Sequence, residues 1–309
     1  MPQYNSTELI AEYKRAYSVP DETEITEQMI LAHWKLERQL ARELLESTPE
    51  NRWQVFEQCY TRFYSELEWI LRLLGHKKAN LPSEKYKIWL EIIGPPPQKI
   101  FEIGSGKGEM IAYFAECGFD CRGSEITRER GKKHFPVSYP NLSWGFSDGV
   151  HLDRFELPGT YNVVVSDQVI EHLHPEDLGE HFQGVYSILL DGGRYIFRTP
   201  HCYTGPHDMT RFFKYDKSQC FHLKEYTYQE LTEMLKNIGF SCECVSPVRF
   251  QELLSSIGIE KHGWIMLNLM LIYERVLSVI PKHSLRRSFA ARLKRFFFFR
   301  DSIFLVAKK

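Results

Sequence analysis

The sequence predicts an α/β fold with a doubly wound, mainly parallel sheet. Two observations predict it: short apolar strands alternate with helical segments from residue 99 onward, and a glycine-rich turn follows the first of these strands in "KIFEIGSGKGE". A chain of 309 residues with 43% hydrophobic residues is also long and apolar enough to bury a large core. In such sheets ligands bind at the carboxyl ends of the strands, so the residues that follow each strand are the candidates for function.

Residues 1–95 are predicted to form a helical extension. Large apolar side chains recur there at spacings of three and four, which places them on one helix face: Trp53, Phe56, Tyr60, Phe63, Leu67, Ile70 and Leu74. Thr48 and Pro49 are the expected start of this helix, and an earlier helix at about 29–45 is expected to pack against it. We expect a helical pair buried on the main domain, and a substrate lid is the alternative. "GPPPQ" then breaks the helical pattern before a catalytic domain at 96–309.

The strands and helices of that domain follow in order along the chain. Strands are predicted at residues 99–104, 120–125, 161–167 and 194–200, and helices at 108–118 and 178–193. A last strand is predicted in "DSIFLVAKK". Residues 251–300, before that strand, form a predicted helical insertion in which an apolar stretch is followed by a basic one.

The turn after the first strand contains Gly104, Gly106 and Gly108, and the acidic Glu102 precedes it. A nicotinamide-binding turn requires G-x-G-x-x-G, and Glu109 occupies the position of its third glycine, which disfavours that cofactor. The stretch resembles motif I, E-x-G-x-G-x-G, of the class I S-adenosylmethionine-dependent methyltransferases. Glycines suit this role because they let the backbone approach a bulky nucleoside and its amino-acid tail.

Further motifs carry the same resemblance over residues 97–245. Glu125 ends the second strand, "FSDGVHL" follows the third, and "YNVVVSDQVIEHLHPEDL" and "LLDGGRYIFRTP" resemble the family's fourth and fifth strand motifs. Asn162 and Asp191 replace a common aspartate and a common proline, away from the expected cofactor contacts. The resemblance implies a seven-stranded, Rossmann-like methyltransferase fold and S-adenosylmethionine as the cofactor. The residues it implies as cofactor-binding are Glu102, Gly104, Ser105, Gly106, Gly108, Glu125 (for the ribose), Ile126, Asp148 (for the adenine), Gly149 and Gln168.

The acceptor-side residues are expected after the fourth and fifth strands. The second of these segments, "TPHCYTGPHDMTRFF", contains His207, which suits a general base at neutral pH, and Asp208, which could orient it. The alternative is that Asp208 caps a helix beginning at Met209 while His207 fills the loop. The first segment contains His172 as a further catalytic candidate and resembles that of ubiquinone-type O-methyltransferases. Their metal-associated E-x-x-E-H run has Gln168 in place of its first acid here, so no metal is expected.

Composition limits the partners. A formal net charge of -1 gives no overall attraction to nucleic acid, and no recognition motif accompanies the basic stretch. That stretch, residues 281–300, contains seven Lys and Arg residues and no acid among interleaved Phe and Leu, so it predicts either peripheral contact with an anionic membrane or a solvated face. Seven cysteines without a C-x-x-C pair, and the absence of a signal peptide, predict reduced thiols in the cytoplasm.

The predicted function is enzymatic methyl transfer from S-adenosylmethionine to a small-molecule acceptor in biosynthesis, at oxygen rather than at nitrogen or carbon. An N- or C-methyltransferase acting on a metabolite or a lipid-linked acceptor is the alternative within the class. The alternatives outside it are a non-catalytic protein that binds S-adenosylmethionine and a nicotinamide oxidoreductase. The sequence indicates neither the acceptor nor an oligomeric state.

Overall fold

The computed structural model describes residues 4–67, 69, 83–126, 139–256, 258–296 and 299–309. These residues form two compact units. The first contains the described residues before position 81 together with Gly205–Glu225, and the second contains those from 83 to Thr204 and Tyr226–Lys309.

The second unit is built on a seven-stranded sheet, as predicted. Its order is β3-β2-β1-β4-β5-β7-β6, in which β1 to β5 pair in parallel and β7 runs antiparallel to both of its neighbours. The strands are β1 (Lys99–Ile103), β2 (Asp120–Glu125), β3 (Leu142–Phe146), β4 (Tyr161–Asp167), β5 (Leu189–Pro200), β6 (Ser241–Cys244) and β7 (Ser302–Lys308). The carboxyl ends of β1, β2 and β4, which are neighbours, therefore lie at one edge.

Helices cover both faces of this sheet. They are α4 (Ser83–Ile93), α5 (Glu109–Glu116), α6 (Leu178–Ile188), α7 (Tyr228–Ile238), α8 (Val248–Ser255), α9 (His262–Ser278) and α10 (His283–Phe296). Successive strand residues alternate between faces, so Ile100 and Val163 lie in one apolar cluster while Phe101 and Val164 lie in the other. Burial on both faces explains why these strands have continuous apolar sequences.

The first unit consists of three helices and a segment that is distant in sequence. The helices are α1 (Ser6–Ala16), α2 (Glu27–Leu45) and α3 (Arg52–Glu66). The ring of Trp34 in α2 packs against that of Phe213 in a tilted arrangement, with 4.3 Å between the ring centroids, and Phe63 of α3 meets Phe221 edge-on at 4.6 Å. These aromatic contacts explain why residues 205–225 belong to this unit, which the sequence analysis did not predict.

The predicted helical extension is wrong in one detail, and two residues of its apolar stripe lie outside the described part of the chain. Helix α3 begins at Arg52 after Asn51, and not at Thr48 and Pro49. Ile70 and Leu74, which the predicted stripe included, lie outside the described residues. In the described part of the chain, no helix has the length and apolar character that crossing a membrane requires.

Helices α8, α9 and α10 precede the last strand, and a buried carboxylate ties α9 to the rest of the unit. Glu274 of α9 accepts hydrogen bonds from the first backbone amides of α7, at Tyr228 and Gln229, and Oε1 lies 2.7 Å from Nε2 of His201. Both side chains are buried. Glu274 thus caps a helix N-terminus, where a negative charge is favourable.

We predict that Glu274→Gln lowers the free energy of unfolding by about 3 kcal/mol, because an amide nitrogen would then face buried N–H donors. Urea unfolding followed by circular dichroism measures the change. Glu260→Gln, at an exposed position just before α9, is the control and should unfold like the unmodified protein. Equal midpoints for the two variants would contradict the assignment.

Candidate functional site

A tight turn connects β1 to α5. Gly104, Gly106 and Gly108 all have positive φ angles, of +68°, +56° and +76°. At Gly104 a Cβ atom would also lie 2.7 Å from Cγ2 of Val169, so a side chain is excluded both by backbone strain and by space. The Gly108 amide donates to the Ser105 carbonyl at 2.7 Å and closes the turn before the helix begins. The glycines predicted from the sequence therefore shape one backbone cradle.

Glu125 lies opposite this turn, at the carboxyl end of β2. Its Oε1 accepts the amide proton of Gly106, and its Oε2 accepts that of Ile126 at 3.3 Å. Burial raises the pKa of the Glu125 carboxyl, while the two backbone hydrogen bonds act in the opposite direction. Each oxygen retains a lone pair, so the carboxylate can accept two further hydrogen bonds, as the predicted ribose contact requires.

Ser105 locks the turn onto the sheet. Its amide donates to the Ser124 carbonyl at 3.0 Å, and its hydroxyl lies 3.2 Å from the Glu102 carbonyl. The backbones of β1 and β2 thereby hold the turn in place.

Glu102 is a buried acid directly beneath the turn. Its side chain is almost fully enclosed, and its Oε2 has no hydrogen-bond partner among the described residues. Burial, together with the nearby carboxylates of Asp167 and Glu125, raises the pKa of Glu102 to about 8. A cation placed next to this group would favour its ionised form, so the site suits a positively charged ligand.

Asp148 and Gly149 follow β3 as predicted. Oδ1 of Asp148 accepts the amide protons of Val150 and His151, each at 2.8 Å, and Oδ2 lies 2.7 Å from Nδ1 of His151. The carboxylate is therefore held rigidly within its own turn. A contact between Asp148 and an adenine would use a remaining lone pair.

A buried network supports that turn from behind. His181 donates from Nδ1 to the Gly149 carbonyl, its Nε2 lies 3.0 Å from the Tyr195 hydroxyl, and that hydroxyl lies 2.7 Å from Oγ of Ser166. Burial lowers the pKa of His181 to about 4, so the ring is neutral at neutral pH. The sequence analysis missed this histidine, whose only signal is its place on the buried face of α6.

Gln168 directly follows β4 and has a φ of +59°, which is unusual for a residue with a Cβ atom. The preceding Asp167 forms a two-point ion pair with Arg198, at 2.8 and 2.6 Å, and the Gln168 amide donates to the Arg198 carbonyl. Strained backbone that its surroundings hold in place is common at functional sites. Its exposed side chain leaves Gln168 available to a ligand.

The segment after Gln168 contains Glu171 and His172 in a single helical turn, Ile170–His172. Glu171 is buried, and its Oε2 accepts the hydroxyl proton of Thr199 on β5 at 2.9 Å. This bond gives Glu171 a role in ordering the segment against β5. His172 is partly exposed.

His201 lies in the same segment after β5 as His207, and its environment makes it structural. The ring is completely buried; Nδ1 accepts the Tyr203 amide proton at 3.0 Å, and Nε2 lies 2.7 Å from Glu274. With both ring nitrogens engaged inside the protein, it has no access to an acceptor.

His207 and Asp208 belong to the first unit. Asp208 caps the short helix Met209–Phe213: its Oδ1 accepts the Thr210 amide proton at 2.9 Å and its Oδ2 accepts that of Cys220 at 3.1 Å. These are the bonds expected of the capping alternative. The catalytic role of Asp208 stays a prediction.

Glu225 is the carboxylate that accompanies His207. Its Oε1 accepts the backbone amide proton of His207 at 2.7 Å and lies 2.9 Å from Nδ1 of His222. Burial raises the pKa of Glu225, but the His222 hydrogen bond and the two nearby histidines outweigh it, so the pKa lies below its usual value. The sequence analysis missed Glu225 because it lies 18 residues from His207. His207 is thus a partly exposed histidine beside an ionised carboxylate.

Comparisons with known proteins agree with this geometry. Residues 62–245, more than half of the chain, match the model of a family described as a methyltransferase domain. No curated protein matches the sequence significantly. The similar solved structures include a 1,6-didemethyltoxoflavin-N1-methyltransferase from Burkholderia thailandensis with bound 1,6-didemethyltoxoflavin and S-adenosylhomocysteine. It is 13% identical, with a TM-score of 0.50, and the match covers 85% of this chain and 91% of that one.

A second similar structure is a SAM dependent methyltransferase from Archaeoglobus fulgidus. It is 17% identical, with a TM-score of 0.48, and the match covers 81% of this chain and 99% of that one. At such identities a structural match speaks for the fold alone.

The buried Glu102 predicts a pH-dependent stability difference. The folded-state pKa of Glu102, about 8, exceeds the ordinary carboxyl value. Ionisation of Glu102 therefore lowers the free energy of unfolding as the pH rises from about 4.5 to about 8, and it causes no further loss above about pH 8. We predict that Glu102→Gln is nearly neutral at the acid end and increasingly stabilises the free protein toward the alkaline end, by up to about 1.4 kcal/mol per pH unit. Urea unfolding across this range measures it, with the exposed Glu116→Gln as control. Parallel stability curves for Glu102→Gln and the unmodified protein would contradict the prediction.

Proposed function

The chain belongs to the methyltransferase-domain family, and we propose that it transfers a methyl group from S-adenosylmethionine to an oxygen atom of a small-molecule acceptor. One observation carries this proposal: the glycine turn after β1 faces a carboxylate, Glu125, that the turn's own Gly106 amide holds in place. The glycines let a ligand approach the backbone of the turn closely, and the two oxygens of Glu125 can accept hydrogen bonds from a pair of hydroxyls.

The residues of the turn fit the cofactor. S-adenosylmethionine supplies a methyl carbon that is activated by a positively charged sulfur. Glu125 would hold the two ribose hydroxyls, and Asp148, Gly149 and Ile126 would border the adenine. Glu102 would stabilise the positive charge of the ligand, since its unpartnered oxygen is otherwise a costly group to bury.

On the acceptor side, we propose His207 as the general base, with His172 as a second acid–base group. The neutral imidazole of His207 would take the proton of the acceptor hydroxyl, and S-adenosylmethionine would supply the methyl group to that oxygen. Proximity supplies most of the remaining acceleration. Because Asp208 is engaged by backbone amides, Glu225 is the better candidate for stabilising a protonated His207.

The cysteines support a cytoplasmic location. All seven are free thiols, and burial raises the pKa of those at 121, 242 and 244, which keeps them protonated and unreactive. This pattern fits a reducing compartment. A small metabolite rather than a nucleic acid is the proposed partner, since no charge excess in the chain as a whole favours a polyanion.

Cofactor binding is tested at Glu125. We predict that Glu125→Ala weakens S-adenosylmethionine binding about 10- to 150-fold (about 1.5 to 3 kcal/mol), because two charge-assisted hydrogen bonds are lost. Isothermal titration calorimetry measures the affinity, and thermal unfolding verifies the fold. Glu116→Ala, an exposed glutamate of α5, should bind like the unmodified protein. An unchanged affinity in a folded Glu125→Ala protein would refute the cofactor site.

Catalysis is tested at His207. The acceptor is first found by incubating a metabolite extract with methyl-labelled cofactor and identifying the labelled product, whose fragmentation shows whether oxygen carries the methyl. His207→Ala should then lower kcat about 100-fold or more while cofactor affinity stays unchanged. The unmodified enzyme should lose rate as the pH falls through the histidine pKa, because only neutral imidazole accepts a proton.

The matched control is His262→Ala, at the start of α9, which should keep both kcat and the acid limb. Near-normal turnover of His207→Ala with the same pH profile would exclude it as the base, and the same test would then apply to His172. Label on nitrogen or carbon would overturn the assignment of the accepting atom.

A further inference from the structure

Helices α8, α9 and α10 expose an unusual share of the protein's apolar surface. The described residues include eleven large hydrophobic side chains that are exposed, and eight of them lie between positions 248 and 289. These eight are Val248, Leu253, Trp264, Ile272, Val276, Val279, Leu285 and Phe289. The other three, Leu45, Leu157 and Leu190, are far apart in the sequence. Concentrated exposure of this kind indicates an interaction surface.

The exposed residues of α9 follow helical spacing. Met266, Met270 and Leu277 are buried on one face, whereas Ile272 and Val276 are each more than half exposed on the other. Trp264, also exposed, precedes Ile272 by about two turns. This helix is therefore apolar on its buried and on its exposed side, although a solvated helix ordinarily has a polar outer face.

Helix α10 contacts α9 and adds charge to the surface. Leu285 and Phe289 lie one turn apart on its exposed face, and the guanidinium of Arg292 lies 5.3 Å from the centre of the Phe289 ring. Lys282, at the start of this segment, is also exposed. Aromatic and aliphatic side chains bordered by long cations are typical of helices that lie in a membrane interface.

The charge of this part of the chain is opposite to that of the remainder. Residues 261–300 contain nine Lys and Arg residues and one acid, Glu274, which is buried. Their formal charge is +8, while the other 269 residues contain 30 basic and 39 acidic residues and total −9. An anionic bilayer would attract the first part and repel the rest, which orients the protein as well as binding it.

Not all of the cations are free to meet a surface. Arg286 donates to the Ile280 carbonyl at 2.8 Å and lies over the Tyr203 ring, and Lys294 pairs with Asp301. The side chain of Arg295 lies outside the described residues. The exposed cations that remain include Lys282 and Arg292.

We propose that helices α8, α9 and α10 dock the protein on an anionic phospholipid surface, with Trp264, Ile272, Val276, Leu285 and Phe289 entering the interface and Lys282 and Arg292 meeting the headgroups. A second copy of the chain fits less well as the occupant. A symmetric contact would bring two strongly positive segments together, which like-charge repulsion disfavours. This inference is independent of the methyl acceptor.

The test is co-sedimentation of the full chain with vesicles of phosphatidylcholine, with and without phosphatidylglycerol. We expect binding only to the anionic vesicles, and weaker binding at high salt. Lys282→Gln with Arg292→Gln should weaken it roughly 25-fold, about fivefold per cation. Ile272→Ser with Val276→Ser should abolish most of it. The matched control, Leu157→Ala with Lys236→Gln, removes an exposed apolar residue and an exposed cation elsewhere and should bind normally.

Tryptophan fluorescence gives a second readout that does not use the Lys282/Arg292 or Ile272/Val276 variants. Brominated lipids in anionic vesicles should quench a component that is missing in Trp264→Phe. Several results would overturn the proposal: binding that ignores lipid charge, no binding to either vesicle, equal weakening by the control pair, or no quenching of Trp264. It would equally fall if the Ile272 and Val276 changes dissociated a dimer in sedimentation velocity and left vesicle binding intact.

Discussion

The hydrogen bond from the Gly106 amide to Glu125 is the interaction on which the site depends, because it joins the turn after β1 to the end of β2. It also keeps a carboxylate in a buried place where burial raises its pKa. Glu102 lies beneath the same turn, and Asp167 ends the neighbouring strand. Among the described residues only Asp167 of these three has an ion-pair partner, Arg198. Glu102, with a pKa of about 8, is mostly protonated at neutral pH in the free protein, and a cationic ligand would favour its ionised form.

Differences in burial separate the structural histidines from the catalytic candidates. His181 and His201 are fully buried, with both ring nitrogens held by other groups of the second unit. They support the turn after β3 and the docking of α9, respectively, and neither can exchange a proton with a substrate. His172 and His207 keep partial exposure. The two catalytic candidates, His172 and His207, thus lie in connecting segments, where catalytic groups are commonly found.

Local patterns in the sequence were sufficient for the sheet and the turn. The positions of the strands along the chain and of the glycines follow from short apolar runs and from a spacing that only glycines tolerate, as the φ angles at Gly104 and Gly106 show. Long-range contacts were not predictable in this way. Glu225 reaches His207 across 18 residues, and the 205–225 segment packs with helices whose sequence lies far before it. The raised pKa of Glu102 depends on neighbours from two other strands, which no single stretch of sequence reveals.

The insertion before β7 differs, because its sequence predicted either membrane contact or a solvated face, and its packing shows which of its residues are buried and which are exposed. The apolar run in α9 is core on one face, through Met266 and Met270, and exposed surface on the other, through Ile272 and Val276. Some basic residues of α10 are likewise structural, since Arg286 closes the end of α9. A helix that only faces solvent would ordinarily have a polar outer face, without an exposed aliphatic stripe beside an excess of positive charge. Retaining both, despite the cost of leaving apolar groups in water, is what an amphipathic docking surface requires.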